Sequence, residues 1–139
     1  MDWIEFTVDG AVVPKGRPRV TTINGHTHAY TPSKTKEYEQ KVKDAYKGNK
    51  AFFDGEYLTV MIHAYYPMPK SASEKQKDLM RLGEIRPTKR PDLDNVAKTI
   101  CDALNGVAYK DDSQIVRLVI SKWYAEFPRV VVSIKEVGW

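Results

Sequence analysis

The stretch from Pro91 to Gly106 reads PDLDNVAKTICDALNG and has the pattern of a helix with one polar and one apolar face. Starting from Asp94, helical geometry places Lys98 one turn later and Asp102 two turns later on the same side. The residues that face the opposite way, toward a core, are Val96, Ile100, Ala103 and Leu104. We therefore predict an amphipathic helix from about Asp94 to Leu104 that displays charged groups on its outer face.

Hydrophobic periodicity predicts the other elements around this helix. Helical spacing and helix-forming residues indicate helices over Ser33–Lys47, capped by Ser33, and over Ser71–Leu82, capped by Ser71 or Ser73. The predicted strands are Trp3–Val13 with a hairpin turn at Asp9-Gly10, Tyr57–Tyr66, Ile115–Glu126 and Arg129–Val137. About three helices packed on a small β-sheet give an α+β fold class, a single mixed α/β unit.

The amino-acid composition indicates the broad class of protein. With 139 residues, 42% of them hydrophobic, the chain fits one compact domain spanning residues 1–139. The formal net charge of +4 permits a polyanionic partner without requiring one. The single cysteine, Cys101, excludes an internal disulfide, and the sequence contains no apolar run of membrane-spanning length. We expect a cytoplasmic protein without a membrane partner.

An acidic constellation carries the densest chemistry in the sequence. Asp92 and Asp94 are two residues apart in a segment that Pro91 keeps extended, so their carboxylates can point to one side. The pair Asp111-Asp112 precedes the next strand, where the returning chain can bring a third carboxylate to the first two. Carboxylate oxygens suit a hard cation such as Mg²⁺, which phosphodiester hydrolysis uses to polarise phosphorus and activate water.

Spacing alone favours a plainer interpretation of these residues. Asp94 can simply cap the helix, Asp102 can be solvated, and Asp111-Asp112 can belong to a polar turn. A calcium loop fits less well, because the sixth position from Asp92 is Ala97, where such loops have glycine. Spacing alone therefore leaves two interpretations of the aspartates open, a metal site for phosphodiester hydrolysis and a set of structural side chains.

The block resembles the signature of the RusA family of Holliday junction resolvases. The matching runs are Asp-x-Asp-Asn-x-x-Lys at residues 92–98, Asp-Ala-Leu at 102–104 and Asp-Asp-x-Gln at 111–114. The strong match extends from Arg90 to Ile115, and weaker likeness reaches the segments at 14–19 and 30–38 and the final strands.

The resemblance implies both a site and an activity. It implies that Asp92, Asp94 and Asp112 are catalytic metal ligands and that Lys98 is needed for cleavage, with Asp111 as the alternative third ligand. The implied cofactor is Mg²⁺, with Mn²⁺ as a substitute. The implied protein is a homodimer of RusA-like fold that resolves four-way DNA junctions by paired symmetric nicks in recombination and repair, often encoded by a phage or prophage.

Two other functions stay open beside the resolvase. One is a nuclease that acts on other branched or flap DNA with the same metal chemistry. The other is a non-catalytic, structure-selective DNA-binding module whose acidic patch is merely structural.

Two basic loops are candidates for the DNA contact. The predicted DNA-binding residues are Lys15, Arg17 and Arg19 in the first loop and Arg86, Lys89 and Arg90 in the second. The second loop directly precedes the acidic block, and ordinary solvated charge is the alternative for both. We assign no metal site to His26 and His28, which we place in a flexible loop, and we expect the strand aromatic residues to pack rather than stack on bases.

Overall fold

The computed structural model describes residues 3–16, 19–30, 32–49 and 51–137. Within these ranges the chain forms three α-helices and six β-strands, which confirms the predicted α+β class. In chain order the elements are β1 (Ile4–Asp9), β2 (Arg19–Ile23), β3 (His26–Tyr30), α1 (Ser33–Lys47), β4 (Leu58–Pro67), α2 (Glu74–Arg81), α3 (Leu93–Ala103), a 3₁₀ turn (Asp112–Gln114), β5 (Ile115–Ala125) and β6 (Arg129–Glu136).

Four strands form the main sheet in the order β1-β6-β4-β5. Strand β4 pairs in parallel with β5 and antiparallel with β6, and β6 pairs antiparallel with β1. The last two strands follow one another along the chain, yet they lie on opposite sides of β4 and do not pair with each other. The parallel connection from β4 to β5 carries α2 and α3, which delivers the acidic block to the β5 edge of the sheet.

The core lies between the sheet and the helices α1 and α3. Along β4, buried and half-buried residues alternate, and the buried set is Leu58, Val60, Ile62 and Ala64, as the alternation predicts, together with Tyr66. From α3, Val96 and Ile100 are fully buried in the same core cluster. Burying each large aliphatic side chain contributes roughly 1.5–3 kcal/mol. The packing therefore fixes which face of α3 is left for solvent.

The hairpin predicted at Asp9-Gly10 is wrong. Strand β1 ends at Asp9 and pairs with β6, while residues 11–16 have no regular structure. The amide of Gly10 donates to the carbonyl of Pro128 at 2.9 Å, so the chain leaves the sheet at this point. The hairpin present instead is β2–β3, whose Asn24-Gly25 turn has positive φ at both residues. Asn-Gly is the usual sequence signal for such a turn, so this hairpin was predictable and was missed.

Two of the predicted helix caps were tested by the structure. The bounds Ser33–Lys47 of α1 match the prediction, but Pro32 occupies the N-cap position, so Ser33 is the first helical residue and not the cap. For α2 the cap is Ser73, whose side chain accepts from the Gln76 amide in a capping box, and this confirms one of the two predicted alternatives.

Gly83, which follows α2, fixes the loop that leads to the acidic block. Its φ is +77°, and a Cβ placed there would lie 2.7 Å from Cζ3 of Trp123. We expect Gly83→Ala to lower the free energy of unfolding by about 2–4 kcal/mol, because backbone strain and overpacking add. Gly106→Ala is the matched control, since its φ is +79° with open space around it, and about 1–2 kcal/mol is expected there. Urea unfolding measures both, and equal destabilisation of the two variants would contradict the role of the Trp123 contact.

Candidate active site

An open cleft of about 710 Å³ lies between the outer face of α3 and strand β5. Its charged and polar rim is formed by Asp94, Lys98, Asp102, Asp112 and Arg117. Its apolar wall is formed by Leu93, Ala97, Cys101, Ile115, Val116, Leu118 and Ile120. The helical spacing of Asp94, Lys98 and Asp102 thus aligns three charged groups along one side of the cleft, as the sequence predicts.

Asp92 lies just outside this lining. Helix α3 begins at Leu93, so Asp92 occupies the N-cap position with extended backbone, and Asp94 already lies in the first helical turn. The expectation of an extended Asp92–Asp94 segment is therefore wrong: the chain turns into the helix between them. Within the described chain, the Asp92 carboxylate makes no capping hydrogen bond to α3.

Strand β4 fastens the segment that carries Asp92. The hydroxyl of Tyr66 donates to the carbonyl of Pro91 at 2.5 Å, which ties the start of α3 to the end of β4. Burial raises the pKa of Tyr66 to about 12, and the negative charge of Asp92 adds to the rise. The carboxylate of Asp92 therefore lies close to this hydroxyl.

The structure separates the roles of the two adjacent aspartates before β5. The carboxylate of Asp111 accepts from the Ser113 amide at 3.0 Å, and Gln114 completes a capping box around the 3₁₀ turn. Hydrogen bonding from the side chain of Ser113, followed by its backbone amide, holds the pKa of Asp111 below its usual value. Asp112 lines the cleft. Of the two alternatives that the sequence leaves open, Asp112 is the one that lines the same cleft as Asp94.

Asp102 is a carboxylate to which the sequence pattern assigned no role. It lines the same cleft as Asp112. Burial, followed by the neighbouring carboxyl group of Asp102, raises the pKa of Asp112. The helical face of Asp94 and Lys98 already includes Asp102, so the signal was present in the spacing. The spacing could not show that the chain returns past α3 and brings Asp112 to the same cleft.

The first basic loop is tied to the same helix. The ammonium group of Lys15 lies 2.6 Å from Oδ2 of Asp102 and 3.8 Å from Oε1 of Glu39, so it neutralises part of the acidic rim. The Lys15 amide donates to Oδ1 of Asn95 at 2.8 Å. The predictions for Arg17 and for the side chain of Arg19 lie outside the described residues.

The second basic loop is braced on β5. The guanidinium of Arg86 stacks 3.6 Å above the Trp123 ring, and its Nε donates to the Gly83 carbonyl at 3.0 Å. The ammonium group of Lys122 donates to the Lys89 carbonyl at 2.7 Å. Arg90 is exposed directly before the acidic block. The loop therefore presents its cations from a supported position beside Asp92.

The donor set of the cleft suits a hard cation. No group of three or more His, Cys, Asp or Glu side chains in the described ranges is arranged as a complete metal site. Asp102 and Asp112 nevertheless line the same cleft, and the charge of Asp102 contributes to the raised pKa of Asp112. A divalent cation would relieve this repulsion, and the available ligands are oxygen atoms, which Mg²⁺ and Mn²⁺ prefer.

Three helices beside a mixed sheet, with an acidic cleft at the sheet edge, define a small α+β protein whose candidate site lies on α3. The sequence model described as "Endodeoxyribonuclease RusA" matches residues 9–135. The chain is also 44% identical, over 99% of both chains, to the uncharacterized protein YqaN of Bacillus subtilis (strain 168). The chain belongs to the RusA endodeoxyribonuclease family, as its motif indicated. No helix in the described ranges is long and apolar enough to cross a membrane.

The two carboxylates before β5 have opposite expected effects on stability. Because its raised pKa marks an unfavourable charge, Asp112→Asn should raise the melting temperature in metal-free buffer at pH 7 by about 1–4 °C. Above the pKa that Asp112 has in the folded state, its carboxylate is charged and destabilises the folded state. Below the pKa that it has in the unfolded state, Asp112 is protonated in both states and this penalty is absent. The gain should therefore shrink as the pH falls.

The matched variant is Asp111→Ala, which removes the cap of the 3₁₀ turn and should lower the melting temperature. Thermal unfolding of both variants, followed by circular dichroism at pH 7 and pH 4, makes the comparison. A loss of stability in Asp112→Asn at pH 7 would contradict the claim that the charge of Asp112 destabilises the folded state.

Proposed function

We propose that this protein is a metal-dependent endonuclease that resolves four-way Holliday junctions by paired nicks during DNA recombination and repair in the cytoplasm. The observation that carries the proposal is the cleft itself: Asp94, Lys98 and Asp112 of the family motif line one open surface. A supported basic loop leads directly into Asp92 at the start of α3, so its cations can guide a phosphate backbone toward the carboxylates.

Asp92, Asp94 and Asp112 would hold the metal ions, with Asp102 beside Asp112 as a further oxygen donor. When bound, Mg²⁺ or Mn²⁺ supplies Lewis-acid stabilisation of the phosphate and lowers the pKa of the attacking water. Lys98 lies one helical turn after Asp94, where its ammonium group can stabilise charge that develops on the phosphate oxygens.

Lys15 has a charge-balancing role beside the carboxylates. Its ammonium group is held by Asp102, so it balances charge in the cluster before DNA arrives. Side-chain exposure of 25% at Lys15 and 28% at Asp102 leaves the pair accessible from the rim. The pair therefore orients Asp102 toward Asp112 and limits the repulsion that an approaching phosphate meets.

A homodimer belongs to the proposal, because two sites related by a two-fold axis match a junction that is cut on two opposed strands. Cutting of other branched or flap DNA is the second candidate, since the cleft is open and selects no particular strand arrangement by shape alone.

Asp94→Asn tests the proposed chemistry, because asparagine keeps the shape of the side chain and removes the charge that a metal ligand needs. Cleavage of a synthetic four-way junction in Mg²⁺ should fall by at least about 100-fold, while junction binding in Ca²⁺ persists or tightens. Single-turnover cleavage at saturating enzyme and a binding titration measure the two. Near-normal cutting would remove Asp94 from the site.

The substrate set in the same assay includes a flap and a linear duplex. Paired symmetric nicks in the four-way junction support the resolvase, and equal cutting of flaps supports the second candidate. Wild-type protein that binds the junction and cuts nothing in Mg²⁺ or Mn²⁺ would overturn the proposal.

Neutralising Arg86, Lys89 and Arg90 together by glutamine tests the second basic loop. Junction binding should weaken, and the slope of log affinity against log salt should become shallower by roughly 0.9 for each phosphate that the variant no longer neutralises. The matched control replaces three lysines on and before α2, namely Lys70, Lys75 and Lys77, and should leave the slope unchanged. An unchanged slope in the first variant would count against this loop as a DNA-binding surface.

A further inference from the structure

The β2–β3 ribbon stands apart from the body of the protein. Its strands pair only with each other, as a separate two-stranded sheet, and every residue described on both of its faces is exposed. Val20, Ile23 and Tyr30 are 65%, 54% and 44% exposed. An isolated two-stranded hairpin is marginally stable in water, and this one contributes nothing to the core. A purpose other than packing is needed to explain it.

The ribbon lies in the part of the sequence that lacks negative charge. From Gly10 to Lys36 the chain has five lysines and arginines and two histidines but no aspartate or glutamate, although the whole chain has 18 acidic residues. The ribbon strands are otherwise rich in threonine, whose hydroxyl groups donate well to phosphate oxygens. This composition fits a polyanionic partner. Pairing with a second copy of the ribbon would bring two cationic segments together.

The described segment just before the ribbon, at Lys15 and Gly16, is fixed at the rim of the cleft. The segment that enters β2 is held to α3 through Asn95 and Asp102, which accept from the amide and the ammonium group of Lys15. The next amide, of Gly16, donates to Oγ1 of the buried Thr35 at 2.9 Å, which ties the same segment to α1. The ribbon therefore starts beside the carboxylates and not at a remote surface.

We propose that the β2–β3 ribbon is a DNA-gripping arm that holds one duplex arm of the substrate next to the cleft, through phosphate and groove contacts. The inference rests on the proposed function for the nature of the substrate. A two-stranded ribbon has the right width to enter the major groove of duplex DNA. Because Lys15, shortly before the ribbon, is tied to the helix that carries Asp94, DNA gripped by the ribbon is held close to the cleft.

A shortened ribbon tests the proposal. Removing Thr21, Thr22, Thr27 and His28 takes two residues from each strand. The Asn24-Gly25 turn is therefore kept, and each remaining side chain stays on its original face of the ribbon. Junction affinity in Ca²⁺ should fall at least about ten-fold, because the shortened ribbon reaches fewer phosphates. The melting temperature should stay close to that of wild type, because the removed residues are exposed and outside the core. Single-turnover cleavage at saturating enzyme should stay within about three-fold of wild type, because the carboxylates are intact.

A photocrosslink gives an independent readout. With p-benzoylphenylalanine in place of Thr22, the ribbon should crosslink to a labelled four-way junction, whereas the same group in place of Ser71, before α2, should not. Wild-type affinity of the shortened variant, or a crosslink only to a second protein chain, would overturn the proposal. A wild-type protein that binds the junction without cutting it would refute the proposed nuclease function. The binding and crosslinking results would still show whether the ribbon grips DNA.

Discussion

The burial of one face of α3 is the constraint on which the candidate site depends. Val96 and Ile100 are fully buried in the core, where α3 packs on α1 and β5, and this packing sets the rotation of the helix about its axis. Once that rotation is fixed, Asp94, Lys98 and Asp102 must point to the opposite side, toward the β5 edge. A hydrophobic interaction thus determines the direction of the charged groups, and Tyr66 sets where the helix begins by holding the Pro91 carbonyl.

The acidic cluster carries a cost that the rest of the structure offsets. The raised pKa of Asp112 reflects burial together with the neighbouring carboxyl group of Asp102. Lys15 lies against Asp102 and supplies one compensating charge. Groups that repel one another in the free protein are typical of functional sites, where a ligand later relieves the repulsion. The ribbon proposed to grip DNA follows Lys15 in the chain, so charge balance in the cluster and the proposed DNA binding meet at one lysine.

Local patterns predicted much of the fold, and the misses have a common physical origin. The bounds of α1 and the alternation along β4 follow from periodicity, which is a local property. The partner of β1 is not local: β6 lies at the other end of the chain, and its hydrogen bonds displaced the expected hairpin. In the site, the line of charges on α3 was predictable for the same reason. The contact between Asp102 and Asp112 was not, because it depends on how the chain returns to β5.

Titration calorimetry of Mn²⁺ into the metal-free protein is the decisive measurement, since the proposed chemistry needs a carboxylate cluster that binds a divalent cation. We expect saturable binding in the wild type, at least about ten-fold weaker binding in Asp112→Asn, and wild-type binding in Asp111→Asn, whose side chain still caps the 3₁₀ turn. Equal Mn²⁺ affinity in wild type and Asp112→Asn, or an equal loss of affinity in both variants, would contradict a metal site built on Asp112.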